Sequence, residues 1–106
     1  MLFRSAAMMK IGLMQEIISR YKSTYFQHVF SGGYSAGYYS YTWSAVLDND
    51  AFEAFKEKGV FNKEVATSFR KNILEKGNTE DAMQLYLNFR GQEPSIEPLL
   101  KNRGLK

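Results

Sequence analysis

The chain has 106 residues, of which 44% are hydrophobic, 15% aromatic and 24% charged, and its formal net charge is +3 at pH 7. This composition predicts a folded globular protein with one domain over residues 1–106, and the scattered charges argue against a nucleic-acid partner. The absence of cysteine excludes disulfides and thiol chemistry, and the apolar runs fall short of the ~20 residues that a membrane span needs, so a cytoplasmic protein without a membrane partner is the default expectation.

The first residues have the periodicity of a helix. The pattern over residues 2–10 predicts a helix that stops near Gly12, whereas residues 17–22 follow neither a helical nor a strand period. No capping residue precedes this first helix. Such a start predicts that the chain is a segment of a longer protein.

A second helical pattern begins about a third of the way along the chain. It runs over residues 38–49 and then continues to a stop before Gly59. Asp48 or Asp50 can cap the continuation, so the pattern is compatible with one long helix or with two abutting ones. The same two carboxylates and Glu53 could form a metal cluster, but capping explains the first two more simply.

Asparagine, serine and glycine delimit three further amphipathic helices in the last third of the chain. The predicted pairs of cap and stop are Asn62 with Gly77, Asn78 with Gly91, and Ser95 with Gly104. The first of these helices is expected over residues 63–76. Together these signals predict an all-α protein with helices joined by short turns rich in glycine and asparagine.

One histidine and several tyrosines are concentrated around three glycines in the segment 28–41. The residues are His28, Gly32, Gly33, Tyr34, Gly37, Tyr38, Tyr39 and Tyr41. If the segment is helical throughout, three of its tyrosines share one face; if the glycines form a loop that leads into the helix, Tyr38 and Tyr41 share a face and Tyr34 reaches in from the loop.

These side chains suit the stabilisation of charge at a tetrahedral carbon. A phenol or an imidazole N–H placed about 3 Å from a developing oxyanion stabilises it as the charge appears. His28 could also donate to a substrate carbonyl or carboxylate, and the amides of Gly32 and Gly33 could pair with an extended peptide. The alternative interpretation is that tyrosine, glycine and histidine here only pack helices.

The order of these residues closely resembles the C-terminal part of the thimet-oligopeptidase family of zinc metallopeptidases, with the nearest likeness to its bacterial peptidyl-dipeptidase Dcp branch. The matching residues are 25–28, 32–34, 36–41 and 43 around the cluster, and 46–48, 50–52, 69–70, 73–74, 77–78, 89–91, 94, 99–100 and 103–105 downstream.

This resemblance implies an all-α subdomain of a zincin-like peptidase, whose substrate is a short peptide that loses a C-terminal dipeptide. By resemblance, His28 and Tyr34 contact substrate, Tyr38 and Tyr41 bind it and stabilise the transition state, and Gly32, Gly33 and Gly37 form the flexible loop. The family holds its zinc through a His-Glu-x-x-His motif and a later Glu, and this sequence contains neither that motif nor a second histidine.

The chain is therefore expected to hold no metal and no cofactor of its own and to hydrolyse no peptide bond alone. Its expected partners are a peptide substrate in the full enzyme and either a complementary N-terminal fragment or a second copy of itself. The alternative function is a non-enzymatic helical module that binds a peptide or another protein.

Overall fold

A computed structural model describes residues 3–106. Within this range the chain forms six α-helices and no strand, which confirms the all-α prediction. The helices are α1 (Phe3–Lys10), α2 (Gln27–Phe30), α3 (Ser40–Lys58), α4 (Lys63–Phe69), α5 (Ala82–Arg90) and α6 (Glu97–Asn102). None of these described helices is long and apolar enough to cross a bilayer.

The described residues group into two compact units, 3–38 and 39–106. The single domain expected over residues 1–106 stays a prediction. In the first unit, α1 ends as predicted, because Gly12 takes a positive φ of 81° after the last helical turn. Residue 2, the predicted start, lies outside the described residues. Residues 17–22 contain no regular helix, in agreement with their irregular pattern.

Helix α3 is one long helix, so the first of the two alternatives is confirmed. It runs without a break through Asp48 and Asp50 and ends at Gly59, where φ is 101°. The prediction that one of these aspartates caps a second helix is wrong. Asp50 instead lies inside the helix, 1% exposed, and its carboxylate is used by residues of α5 and of the segment that follows it.

Helix α4 begins where the sequence predicts it. The Asn62 side chain accepts hydrogen bonds from the backbone N–H groups of Glu64 and Val65, which have no partner inside the helix. The helix then widens into a π-turn, Arg70–Leu74, which no sequence signal indicated.

Helix α5 begins later than predicted. Its cap is Asp81, whose carboxylate accepts from the N–H of Gln84 at 3.0 Å, and not Asn78, which lies in a turn three residues before Asp81. The end of α5 at a left-handed Gly91 is as predicted. The N-cap residue of α6 is Ile96 and not the predicted Ser95, which lies one residue earlier and accepts a hydrogen bond from the N–H of Glu97.

The core of the second unit lies between α3, α4, α5 and α6. Its buried apolar side chains are Val46, Ala54, Val65, Leu85, Tyr86 and Leu99. The ring of Phe69 packs at 5.1 Å from Phe89 and 6.0 Å from Phe55, measured between centroids, which ties α4 to α5 and α3. This packing fixes α3, the helix that carries Tyr41.

Candidate functional site

The glycine-rich segment of the first unit is a loop closed on itself. Helix α2 is a single turn, and its last residues lead into a 3-10 turn at Gly32–Tyr34. The N–H of Ala36 donates to the carbonyl of Val29 at 3.0 Å, and the N–H of Gly37 donates to the carbonyl of Tyr34 at 2.9 Å. These two bonds hold the start and the end of the loop together.

Loop closure brings the histidine next to two of the tyrosines. The ring centroid of His28 lies 5.9 Å from that of Tyr34 and 5.9 Å from that of Tyr38. His28 and Tyr34 are exposed, whereas Tyr38 is half-buried because its ring packs edge-on against Phe26 at 4.7 Å. Three of the predicted site residues therefore form one cluster, which we call the ring cluster: His28, Tyr34 and Tyr38.

Residues 32–39 form turns rather than a continuous helix, so the loop alternative is confirmed. Helix α3 begins at Ser40, two residues after the predicted start, and Tyr38 therefore belongs to the turn instead of the helix. The expectation that Tyr38 and Tyr41 share one face of a helix is wrong for this reason. Tyr41 lies in the first turn of α3, in the second unit, and is 51% exposed.

The three glycines of the loop are not all required by the backbone conformation. Gly32 has a φ of 75°, a conformation that side-chain-bearing residues rarely adopt, so its lack of a Cβ is required by the turn. Gly33 lacks this constraint, and a Cβ built on it would meet no atom within 4 Å. The Gly33 backbone is thus open to approach by a ligand. A Cβ on Gly37 would meet only backbone carbonyl atoms of its own loop, at 3.7 Å or more.

A groove of about 610 Å³ runs beside the ring cluster within the first unit. Tyr38 and Phe26 line it, together with Tyr21, Val29 and Phe30. Such a lining suits an apolar group of a ligand.

The profile of peptidase family M3 matches residues 5–105, which is almost the whole chain. The chain belongs to peptidase family M3. This membership confirms the resemblance to metallopeptidases that the tyrosine and glycine pattern carries.

Three relatives illustrate the likeness to family M3. Oligopeptidase A of Escherichia coli is 51% identical over 81 residues, which are 76% of this chain and 12% of that protein. Dipeptidyl carboxypeptidase of Escherichia coli is 48% identical over 86 residues, 81% of this chain and 13% of that protein. The probable cytosolic oligopeptidase A of Arabidopsis thaliana is 48% identical over 84 residues, 76% of this chain and 12% of that protein. The chain thus spans about an eighth of the length of these curated relatives.

Family M3 is a family of zinc metallopeptidases, which makes carboxylate and imidazole clusters the first place to look for a metal. Among residues 3–106, no group of three or more His, Cys, Asp or Glu side chains is placed to hold a metal ion. Asp50, one of the three carboxylates considered for a metal, is bonded instead to a tyrosine and a backbone N–H. The described residues do not fit a zinc site.

A buried polar network in the second unit escaped the sequence analysis. The hydroxyl of Tyr86 donates to Asp50 Oδ2 at 2.6 Å, and Arg90 Nε lies 3.4 Å from the same oxygen. The other two nitrogens of Arg90 donate to the two carboxylate oxygens of Glu57 at 3.2 and 2.9 Å. Tyr86 and Asp50 are 36 positions apart in the sequence, and Arg90 and Glu57 are 33 positions apart. The only sequence signal for this network is the spacing of Asp50, which places it on the buried face of α3.

The network changes the titration of its members. Burial, and then the hydrogen bond to the Asp50 carboxylate, raise the pKa of Tyr86 well above its ordinary value. The hydrogen bonds to Glu57 raise the pKa of Arg90. Tyr86 is therefore a permanent donor and Arg90 a permanent cation at physiological pH, and both hold α5 against α3.

Proposed function

We propose that this chain forms the proton-donating side of the substrate site in a family M3 peptidase. In this role the ring cluster contacts the bound peptide, and the hydroxyls of Tyr38 and Tyr41 stabilise the oxyanion that forms at the scissile carbonyl. The observation that carries the proposal is the convergence of His28, Tyr34 and Tyr38 on one closed loop, with centroid distances of 5.9 Å from His28 to each tyrosine.

The chemistry follows from what these groups can donate. A phenol O–H or an imidazole N–H stabilises an oxyanion most when it is already oriented, and loop closure orients Tyr34 and Tyr38 relative to His28. The exposed backbone of Gly33 supplies a further N–H for an extended peptide. None of these groups is an activated nucleophile, so we assign to them binding and charge stabilisation only.

The metal and the attacking water belong, in this proposal, to the rest of the enzyme. The curated relatives are about eight times longer than the part that this chain covers, which leaves room for that machinery. The substrates we propose are short peptides, because the relatives are named as oligopeptidases and as a dipeptidyl carboxypeptidase. A cytoplasmic location is likewise a proposal.

The first test asks whether the chain is inactive alone. The pure chain is incubated with an N-blocked peptide, with and without added zinc. We expect no turnover under either condition. Hydrolysis that a chelator abolishes would contradict this part of the proposal, because it would place a complete zinc peptidase within these 106 residues.

The second test measures the roles of the tyrosines in a complete enzyme. This chain replaces the matching segment of Escherichia coli oligopeptidase A, with which it shares 51% identity. In this chimera we expect Tyr41→Phe and Tyr38→Phe each to lower kcat by about 10²- to 10³-fold, the usual effect of removing one oxyanion donor. Tyr34→Phe should act mainly through a higher KM, because a contact made equally in the ground and transition states affects binding alone.

Tyr25→Phe is the matched control, since it removes the same hydroxyl from an exposed tyrosine outside the ring cluster. Equal kcat values for the Tyr25, Tyr38 and Tyr41 variants would refute the assigned roles. If the chimera stays inactive while the pure chain binds the peptide saturably, the non-enzymatic binding module is favoured instead.

A further inference from the structure

The buried face of α3 continues beyond the part of the helix that the second unit covers. Val46, Asp50 and Ala54 recur every fourth residue and are all buried. Tyr39 and Trp43 precede Val46 by seven and three residues, which at about 100° per residue places them within roughly 60° of it. The backbone of Tyr39 is already helical, with φ −58° and ψ −19°. The five positions thus form one stripe.

The two aromatic members of this stripe are not covered. Tyr39 is 74% exposed and Trp43 is 47% exposed, whereas the contacts that cover α3 begin further along the helix. Tyr86 and the N–H of Ser95 reach Asp50, and Asn102 of α6 donates to Asn49 at 2.9 Å. A single exposed aromatic ring is ordinary, but a pair that extends a hydrophobic core along the same helix face indicates a missing layer of protein.

The proposed substrate cannot be this missing layer. Tyr41 lies about 180° around α3 from the middle of the stripe by the same helical geometry. A peptide bound at Tyr41 therefore lies on the opposite side of the helix from Tyr39 and Trp43. A layer that covers the stripe is therefore something other than a peptide bound at Tyr41.

We propose that Tyr39 and Trp43 dock against the remaining part of an M3 peptidase and hold α3 so that Tyr41 faces the substrate. The occupant is chosen on two grounds. The chain accounts for only 12% of the length of oligopeptidase A, so most of the enzyme's surface is available to supply a covering layer. The segment 40–47 carries no charged side chain, which suits an apolar protein surface. Tyr39 and Trp43 are thus positioning residues; the consequence for Tyr41 rests on the proposed function.

The test compares one substitution in two contexts. Trp43→Ala is made in the isolated chain and in the full-length chimera with Escherichia coli oligopeptidase A. In the isolated chain the exposed ring contributes little, so the thermal midpoint should shift by less than about 2 °C. In the chimera the ring is buried, and its loss should lower the midpoint by about 3 °C or more and reduce kcat at least about tenfold with little change in KM. Trp43→Phe should restore most of both losses.

Phe61→Ala is the matched control, because Phe61 is 96% exposed and lies in the turn between α3 and α4, away from the stripe. Phe61→Ala should change neither the thermal midpoint of the isolated chain nor the thermal midpoint and kcat of the chimera. Equal losses from Trp43→Ala in the chain and the chimera would overturn the docking proposal, because Trp43 would then belong to the chain's own fold. An unchanged midpoint in the chimera would overturn it too, since the ring would still be exposed there.

Two more outcomes separate the possible occupants and the two proposals. A dimer of the isolated chain, measured by sedimentation equilibrium, that Trp43→Ala dissociates would assign the stripe to a second copy and overturn docking to the enzyme. The chimera could also lack activity in every variant, while Trp43→Ala lowers its thermal midpoint and Phe61→Ala does not. That result would support docking and refute the proposed function.

Discussion

Removal of one hydroxyl from the buried network gives the sharpest test of what holds the second unit together. Tyr86→Phe deletes the donor that lies 2.6 Å from Asp50 Oδ2 and leaves the ring that packs 6.3 Å from Phe89. The substitution therefore removes this short hydrogen bond, together with a longer one at 3.5 Å to the carbonyl of Leu47, and almost no apolar contact.

The expected loss follows from the charge of the acceptor. A hydrogen bond to a charged group contributes about 1.5 to 3 kcal/mol, roughly twice a neutral one. Asp50 keeps the N–H of Ser95 at 3.3 Å and Arg90 Nε at 3.4 Å, both longer than the bond that is removed. We therefore expect Tyr86→Phe to lower the free energy of unfolding by about 2 kcal/mol, a value near the middle of that range.

The assay is urea unfolding at pH 7.5, followed by far-ultraviolet circular dichroism. A loss of about 2 kcal/mol shifts the midpoint by roughly 0.7 to 2 M of urea if the slope is ordinary for a small protein and unchanged. Tyr39→Phe is the control, because it removes the same hydroxyl from an exposed ring and should stay within about 0.5 kcal/mol of the parent. Combining Tyr86→Phe with Asp50→Asn in a double-mutant cycle isolates the pair.

The stabilisation by Tyr86 should also depend on pH, in a direction that the raised pKa of its hydroxyl predicts. The pKa of Tyr86 is raised in the folded state, so the hydroxyl stays protonated at a pH where the unfolded chain, with a tyrosine pKa of about 10, loses its proton. The contribution of Tyr86 is therefore complete below about pH 10 and falls as the pH rises above it. The difference between the parent and Tyr86→Phe should narrow from pH 10 upward. A difference under 0.5 kcal/mol at pH 7.5, or one that grows above pH 10, would refute the reasoning.

Two further substitutions test local features of the fold. Asn62→Ala should cost about 1 kcal/mol in urea unfolding because two backbone N–H groups lose their acceptor, while Asn62→Asp should keep the cap; equal stabilities of the two variants would contradict this. Gly32→Ala should cost about 1 to 2 kcal/mol of loop stability, since φ is 75° there, and should speed hydrogen exchange of the Ala36 N–H, whereas Gly33→Ala should leave that exchange unchanged. Similar exchange rates in both variants would show that the turn does not need its left-handed residue.

Much of the fold was predictable because its signals are local. The cap at Asn62, the stop at Gly91 and the turn at Gly12 depend on bonds within a few residues and on the φ that glycine tolerates. One error of capping at a helix start, Asn78 instead of Asp81, arose because both residue types have a suitable side chain, and the choice between them depends on where the helix packs.

The candidate site was predictable in its residues but not in its arrangement. The sequence indicated that His28, Tyr34 and Tyr38 are hydrogen-bond donors near flexible glycines, and it left open whether the segment is helix or loop. The bond from Ala36 to Val29 joins residues seven positions apart, and no periodicity signals such a contact. The roles of these side chains on a substrate stay a prediction.

By itself the sequence determined the family, the helical class and most helix ends, since each depends on residue order or on neighbours a few positions away. Only the tertiary structure decided the place of Asp50. The sequence around this residue is compatible both with a helix cap and with a position in a buried polar network. Its bonds to Tyr86 and Ser95 span 36 and 45 positions, and they exist only after α5 and the segment beyond it have packed on α3. An aspartate is usually exposed, and it is long-range packing, not residue type, that buries Asp50 at the centre of this polar network.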